Sequence, residues 1–169
     1  MRWVAILTLL TVLAGCSGEK LASVQTGPVS VTAPASPNWA LGAPREVETV
    51  TTPTHGVPIY ATGPENLLEY LDAIVLNEAR VASIKPAWSP VGPARAYVQR
   101  SPTFGFPDVV SVEAIDLGAG DAGQRASLVI FSRAVYGYAD LGVNRARIER
   151  WLSLLSDTVP IVAGRGLGG

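Results

Sequence analysis

Residues able to do nucleophilic or metal chemistry are scarce in this chain: among 169 residues there is one cysteine, Cys16, and one histidine, His55. A single thiol excludes an intrachain disulfide and a cysteine-rich zinc site, and a single imidazole excludes a multi-histidine centre within one chain. No metal and no cofactor is expected. His55 sits in the string TTPTHGVP, where nothing local would desolvate it, so a surface or structural role is expected. Ser111 and Ser132 fall in strand-like runs without a neighbouring base. No Gly-x-Ser-x-Gly elbow occurs, and the glycines of the AGRGLGG tail precede no helix, so they form no phosphate loop. Two carboxylates remain, Asp108 and Asp140. Neither has a second carboxylate at a spacing suited to paired acid–base work, which makes an enzyme using Asp108 or Asp140 the least favoured reading.

Two stretches are instead dense in arginine and aromatic residues: YVQRSPTFGFPDVVSV over 97–112 and FSRAVYGYADLGVNRARIERWL over 131–152. Strand alternation puts Arg133 on the face of Val129 and Phe131, which reads as buried. A charge on an apolar face must be paired, and Asp108 and Asp140 are the partners to hand. One reading is a structural network of Arg100, Asp108, Arg133, Asp140, Asn144 and Arg145, in which Asp140 caps a helix and arginines tie loop to sheet. The other is a pocket where Arg100, Arg133 and Arg145 hold an anion beside Phe104, Phe106 and Tyr138. The structural network is favoured, because ion-pair networks need no ligand to exist.

Cys16 has a specific context. Arg2 is a short positive start, and Val4 to Leu13 is apolar except for Thr8 and Thr11. At roughly 1.5 Å per residue this run covers about half a bilayer core, too short to span a membrane but suited to a signal peptide. It ends in Leu13-Ala14-Gly15-Cys16, which resembles the lipobox of bacterial lipoproteins. The resemblance implies cleavage before Cys16, diacylglycerol on its thiol and often a further acyl group on the new amino terminus. A thiolate alkylates readily, and the small residues at 14 and 15 suit entry to a peptidase. Two or three acyl chains anchor stably where one binds only marginally. The expected place is the cell envelope, facing the periplasm. Ser17 rather than Asp follows the cysteine, and by resemblance to lipoprotein sorting this favours the outer membrane. The expected partners are the membrane, through the acyl chains, and an unidentified envelope protein or lipid.

Thirteen basic residues against fourteen acidic give a net charge of -1, without the basic footprint of a nucleic-acid binder. Cleavage before Cys16 removes only Arg2, leaving twelve basic against fourteen acidic, a net charge of -2. The chain then divides into a signal peptide at 1–15, a lipidated cysteine and flexible tether at 16–37, one globular domain at 38–158 and a flexible tail at 159–169. The tether is inferred from small, polar, proline-dotted composition, and it is expected to be dispensable for folding.

Within the domain, Pro64 opens a helix whose Leu67, Leu68, Leu71, Ile74 and Val75 form one stripe, ending near Glu78. Strands are expected at 94–100, 108–116 and 126–133, with shorter ones at 46–51, 57–60 and 80–85. The strand at 126–133 is apolar on both faces and so interior, and a turn at 118–123 makes it an antiparallel hairpin with its predecessor. A last helix runs from Asn144, or from an Asp140 cap, to about Leu155, with Ile148, Trp151, Leu152 and Leu155 inward and Arg145, Arg147, Glu149 and Arg150 on its other faces. The fold class is α+β: an antiparallel sheet of about four to five strands with two main helices packed on one face.

The strings YVQRSPTFGFPD and SRAVYGYADLGVNRARIERWL resemble the bacterial domain-of-unknown-function family 1499. Ser36-Pro37-Asn38 is similar to that family's Ser-Pro-Asn-Cys opening, with Trp39 standing where the cysteine would be. The resemblance spans about 36–155 and brings no established activity. The expected function is a membrane-anchored, non-enzymatic binding or interaction module, the alternative being a carrier of an apolar or lipid-like ligand between sheet and C-terminal helix.

Overall fold

A computed structural model describes residues 20–121, 123–138 and 141–162. Six strands form one sheet: β1 (Trp39–Ala43), β2 (His55–Gly56), β3 (Val81–Ile84), β4 (Ala94–Arg100), β5 (Pro107–Gly120) and β6 (Gly123–Ala134). Their order is β2-β1-β6-β5-β4-β3. Every pairing is antiparallel except β1 with β2, so the sheet is mixed and larger than the four to five antiparallel strands expected. The two main helices are α1 (Pro64–Val75) and α2 (Val143–Thr158), and a helical stretch also occupies 20–23. The class is α+β.

The expected hairpin is the backbone of the sheet. β5 and β6 pair from Asp108↔Ala134 to Gly120↔Gly123, with an irregularity between Asp116 and Ala119. β6 also pairs with β1, from Trp39↔Arg133 to Gly42↔Ile130, and is interior as its two apolar faces require. Trp39–Ala43, a short Ala/Gly-rich run, is the strand that composition does not reveal. No strand forms at 46–51; that loop returns beside β1, where Thr54 N–H donates to Leu41 O at 2.7 Å.

One face carries the larger core. Leu67, Leu68 and Leu71 of α1 and Ile148, Trp151 and Leu155 of α2 pack with Tyr97, Val110, Val112, Leu128 and Ile130. Pro64 stands at the first helical turn and Glu65 meets the positive end of the helix dipole, as the sequence indicates. α2 starts from Gly142 at φ 81°, so Asn144 is not the cap but lies inside the first turn.

The opposite face is also covered, and this corrects the expected 16–37 tether from Gln25 onward; its first residues, 16–19, lie outside the described residues. Val31 packs with Leu41, Ala43, Val129 and Phe131, flanked by Val29 and Val47. Gln25 is buried and accepts the Ala87 N–H at 3.0 Å. Gly27 comes so close that a Cβ there would sit 3.0 Å from the Trp88 ring and 3.2 Å from Glu113. Residues from Gln25 onward are therefore part of the domain, because an interior strand apolar on both faces needs a second cover. The far boundary also moves, from 158 to 162: Ala61 N–H donates to Pro160 O at 2.9 Å and Val162 N–H to Ile59 O at 2.8 Å.

A chain beginning at Ser36 would uncover Leu41, Val129 and Phe131. It should lose at least about 2 kcal/mol, the scale of one buried valine, seen as a lower urea midpoint. An unchanged midpoint would restore the tether reading for 20–37.

Candidate functional site

The most polar buried cluster gathers on Arg147, which is only 3% exposed. Its Nε donates to Gln99 Oε1 at 2.6 Å, Nη1 to Ser132 Oγ at 2.7 Å and Asn144 Oδ1 at 2.8 Å, and Nη2 to Asp108 Oδ2 at 2.6 Å. Ser132 Oγ donates to Asn144 Oδ1 at 2.6 Å, and Asn144 Nδ2 to Asn38 O at 3.0 Å. Period-two alternation brings Gln99, Asp108 and Ser132 to the helix-bearing face, since Gln99 opposes Asp108 and Val110 opposes Ser132. Arg147 reaches them from the first turns of α2. Short charge-assisted bonds of this kind are the strong ones, and the guanidinium fork fixes geometry as well as charge.

The expected site residues do not all converge. Asp108 is paired, but with Arg147 instead of Arg133. Arg133 opposes Trp39 and Val109 on the other face, away from Asp108. Its Nε is buried without a hydrogen-bond partner, and burial pulls the guanidinium below its ordinary range. Arg145 is exposed on α2 and donates to Glu149 at 3.1 Å, and that carboxylate also meets His55 Nε2 at 2.8 Å. His55 and Arg145 together hold the Glu149 carboxyl below its usual range. Asp140 and Cys16 lie outside the described residues. The anion pocket of Arg100, Arg133 and Arg145 therefore does not form; the three point to three different places.

Arg100 lies at the end of the sheet where the aromatic residues collect. It donates to Gly105 O at 3.1 Å and lines a cleft of about 270 Å³ with Lys20, Leu21, Phe106 and Tyr136. Phe104 stacks on Phe106 at 5.6 Å between ring centroids, and Phe106 meets Tyr136 at 6.1 Å. The Lys20 ammonium lies 3.8 Å from the Tyr136 ring centre, a cation–π contact. Phe104 and Tyr138 are exposed, at 74% and 71%.

The expected placement of Arg147 off the buried face of its helix is wrong, and sequence reasoning missed Gln99 and Glu113. Arg147 lies three residues after Asn144 and four before Trp151, so the helical stripe itself would have placed it inward. Glu113 is buried on the Val31 side and accepts the Trp88 indole N–H at 2.7 Å. Two further pairs tie the α1 region to its neighbours. Arg150 grips Glu78 with two bonds of 2.7 Å. Asp72 accepts Arg95 at 2.7 Å and the Tyr97 hydroxyl at 2.8 Å. Burial, and then the bond to Asp72, push the Tyr97 hydroxyl well above its usual range.

Burial works against the Glu78 carboxylate, but the Arg150 bonds prevail and hold its carboxyl below the usual range. A depressed folded-state value adds stability above the ordinary glutamate range, and that stability is lost as pH falls through it. Glu78→Gln should accordingly flatten the acid limb of a stability–pH curve, and an unaltered limb would show that the pair contributes nothing.

Arg147→Met should cost ~3–5 kcal/mol, because Asp108 is left as an unpaired, mostly buried charge. Adding Asp108→Asn should recover part of that loss. Arg133→Met removes a half-buried cation whose Nε has no bond to lose, so it should be neutral or stabilising, within about 1 kcal/mol. Urea denaturation of the three variants separates these outcomes; a costly Arg133→Met beside a tolerated Arg147→Met would relocate the organising charge.

No curated protein and no solved structure matches the chain. A family described as protein of unknown function (DUF1499) matches residues 31–155. Gln99, Asp108, Ser132, Asn144 and Arg147, all the side chains joined at the buried guanidinium, lie within the matched residues. With most of its length matched, the chain belongs to the DUF1499 family.

Proposed function

We propose that this protein is an envelope lipoprotein, anchored through acyl chains on Cys16 and facing the periplasm, whose domain acts as a non-enzymatic binding or interaction module. The observation that carries this reading is the string Leu13-Ala14-Gly15-Cys16 directly after the apolar run. Ser17 at the next position favours the outer membrane. The binding role is supported by the exposed aromatic residues around the Arg100 cleft. An enzyme using Asp108 gains no support, since that carboxylate is already engaged by Arg147 at 2.6 Å. A carrier would need space between sheet and C-terminal helix. Tyr97, Trp151, Ile148 and Leu155, each with no exposed surface, fill that space, which favours the interaction module.

Cys16→Ser should leave an uncleaved precursor and abolish metabolic labelling with palmitate, because no other thiol exists to acylate. Processing and labelling at the parental level would reject the anchor.

A further inference from the structure

We propose that the aromatic end of the domain is a membrane-contact surface, lying in the headgroup region of the leaflet that holds the acyl chains. The proposal rests on the lipoprotein reading and deepens it.

Three observations meet at one place. Only three residues stand between Cys16 and Lys20. At up to ~3.6 Å per residue, the two cannot be more than about 14 Å apart. Lys20 in turn lies on the Tyr136 ring, at 3.8 Å. The anchor therefore emerges beside this end of the sheet and keeps it near the lipid surface, whatever the rest of the domain does.

This same end bears exposed apolar groups that a soluble surface would not favour. Phe104, Phe106, Tyr136, Tyr138 and Leu141 come from the two loops that flank β5 and β6, and Leu141 is 99% exposed in a left-handed conformation at φ 53°. Tyr and Phe beside Lys and Arg is the composition that sits at membrane interfaces, where rings enter the acyl boundary and cations meet phosphates. The charges agree. The mature chain is acidic overall, but Arg80, Arg100 and Lys20 are all exposed at this end, while Asp108 is neutralised by Arg147. Arg80 Nε donates to Arg100 O at 3.1 Å, which keeps the two arginines adjacent. Lys20 and Arg100 flank the 270 Å³ cleft, where a lipid phosphate would lie between cations with Phe106 and Tyr136 beneath the glycerol. The occupant is the phospholipid surface into which the anchor inserts.

The test uses the lipidated full-length chain in vesicles of phosphatidylethanolamine and phosphatidylglycerol containing brominated lipid. Phe104→Trp places an indole at the proposed contact. Val91→Trp places one beside Glu113, about 20 Å along β5 from Pro107 at ~3.3 Å per residue. Both positions are exposed, so neither variant disturbs the core. The added emission, read against the parent, should be quenched at least about twofold more at 104 than at 91. Adding Lys20→Glu with Arg100→Glu should reduce that difference. Equal quenching at the two positions would overturn the contact surface while leaving the anchor intact. An unchanged difference in the double-charge variant would overturn the phosphate role of the cleft. Acyl labelling is followed in the same samples, and its absence would overturn the anchor and the contact surface together.

Discussion

A guanidinium removed from water must be given partners, and Arg147 is the place where this fold meets that demand. Leaving such a charge unpaired would cost several kcal/mol. The chain therefore brings acceptors from β4, β5, β6 and α2 to one point, and Asn144 extends the network to Asn38, just before β1. The apolar core supplies most of the driving force but little discrimination between registers. The polar cluster supplies the discrimination. A slip of one residue in β5 or β6 would turn Asp108 or Ser132 to the opposite face and take that partner from the buried cation.

The sheet's second requirement follows from the same strands. Val110, Val112, Leu128 and Ile130 face the helices, while Val129, Phe131 and Leu41 face away. Helices on one side cannot shield both sets, so the chain from Gln25 to Val31 returns over the other side. The close approach of Gly27 to Trp88 and Glu113 belongs to this cover, and it depends on the absence of a side chain. Glu113 is tolerated there because the Trp88 indole N–H answers its carboxylate at 2.7 Å.

What local pattern controls is legible in the sequence. The stripes of both helices, the β5–β6 hairpin and the interior position of β6 follow from periods of 3.6 and 2. What distant contacts control is not. The run 20–37 is polar and proline-dotted, and its role as a cover depends on a face of the sheet that no local pattern announces. β1 lacks β-branched residues and exists because β6 offers it an edge. Asp108 reads as a buried partner, and the strand next to it offers Arg133 as the cation, but the hairpin register sends Arg133 to the other face. Charge alone assigns Arg147 outward, whereas its spacing from Trp151 places it inward. The spacing prevails because three strands supply the acceptors that make a buried guanidinium tolerable, and those strands are remote from α2 in sequence.

The buried cluster and the aromatic end are mechanically one device. Gln99 and Asp108 bracket the loop that carries Phe104 and Phe106. Ser132 and Asn144 bracket the segment that carries Tyr136, Tyr138 and Leu141. Arg147 bonds to all four of these root residues, so both segments are fixed at each end by one side chain. Exposed apolar loops without such roots would fold back onto the nearest hydrophobic surface, or present themselves in many arrangements and lose entropy on every contact. Rooted in this way, their rings are held out from the sheet beside the point where the chain leaves for Cys16. The buried charge thus does more than stabilise the core: it ties the roots of two segments, far apart in sequence, to one point of the sheet.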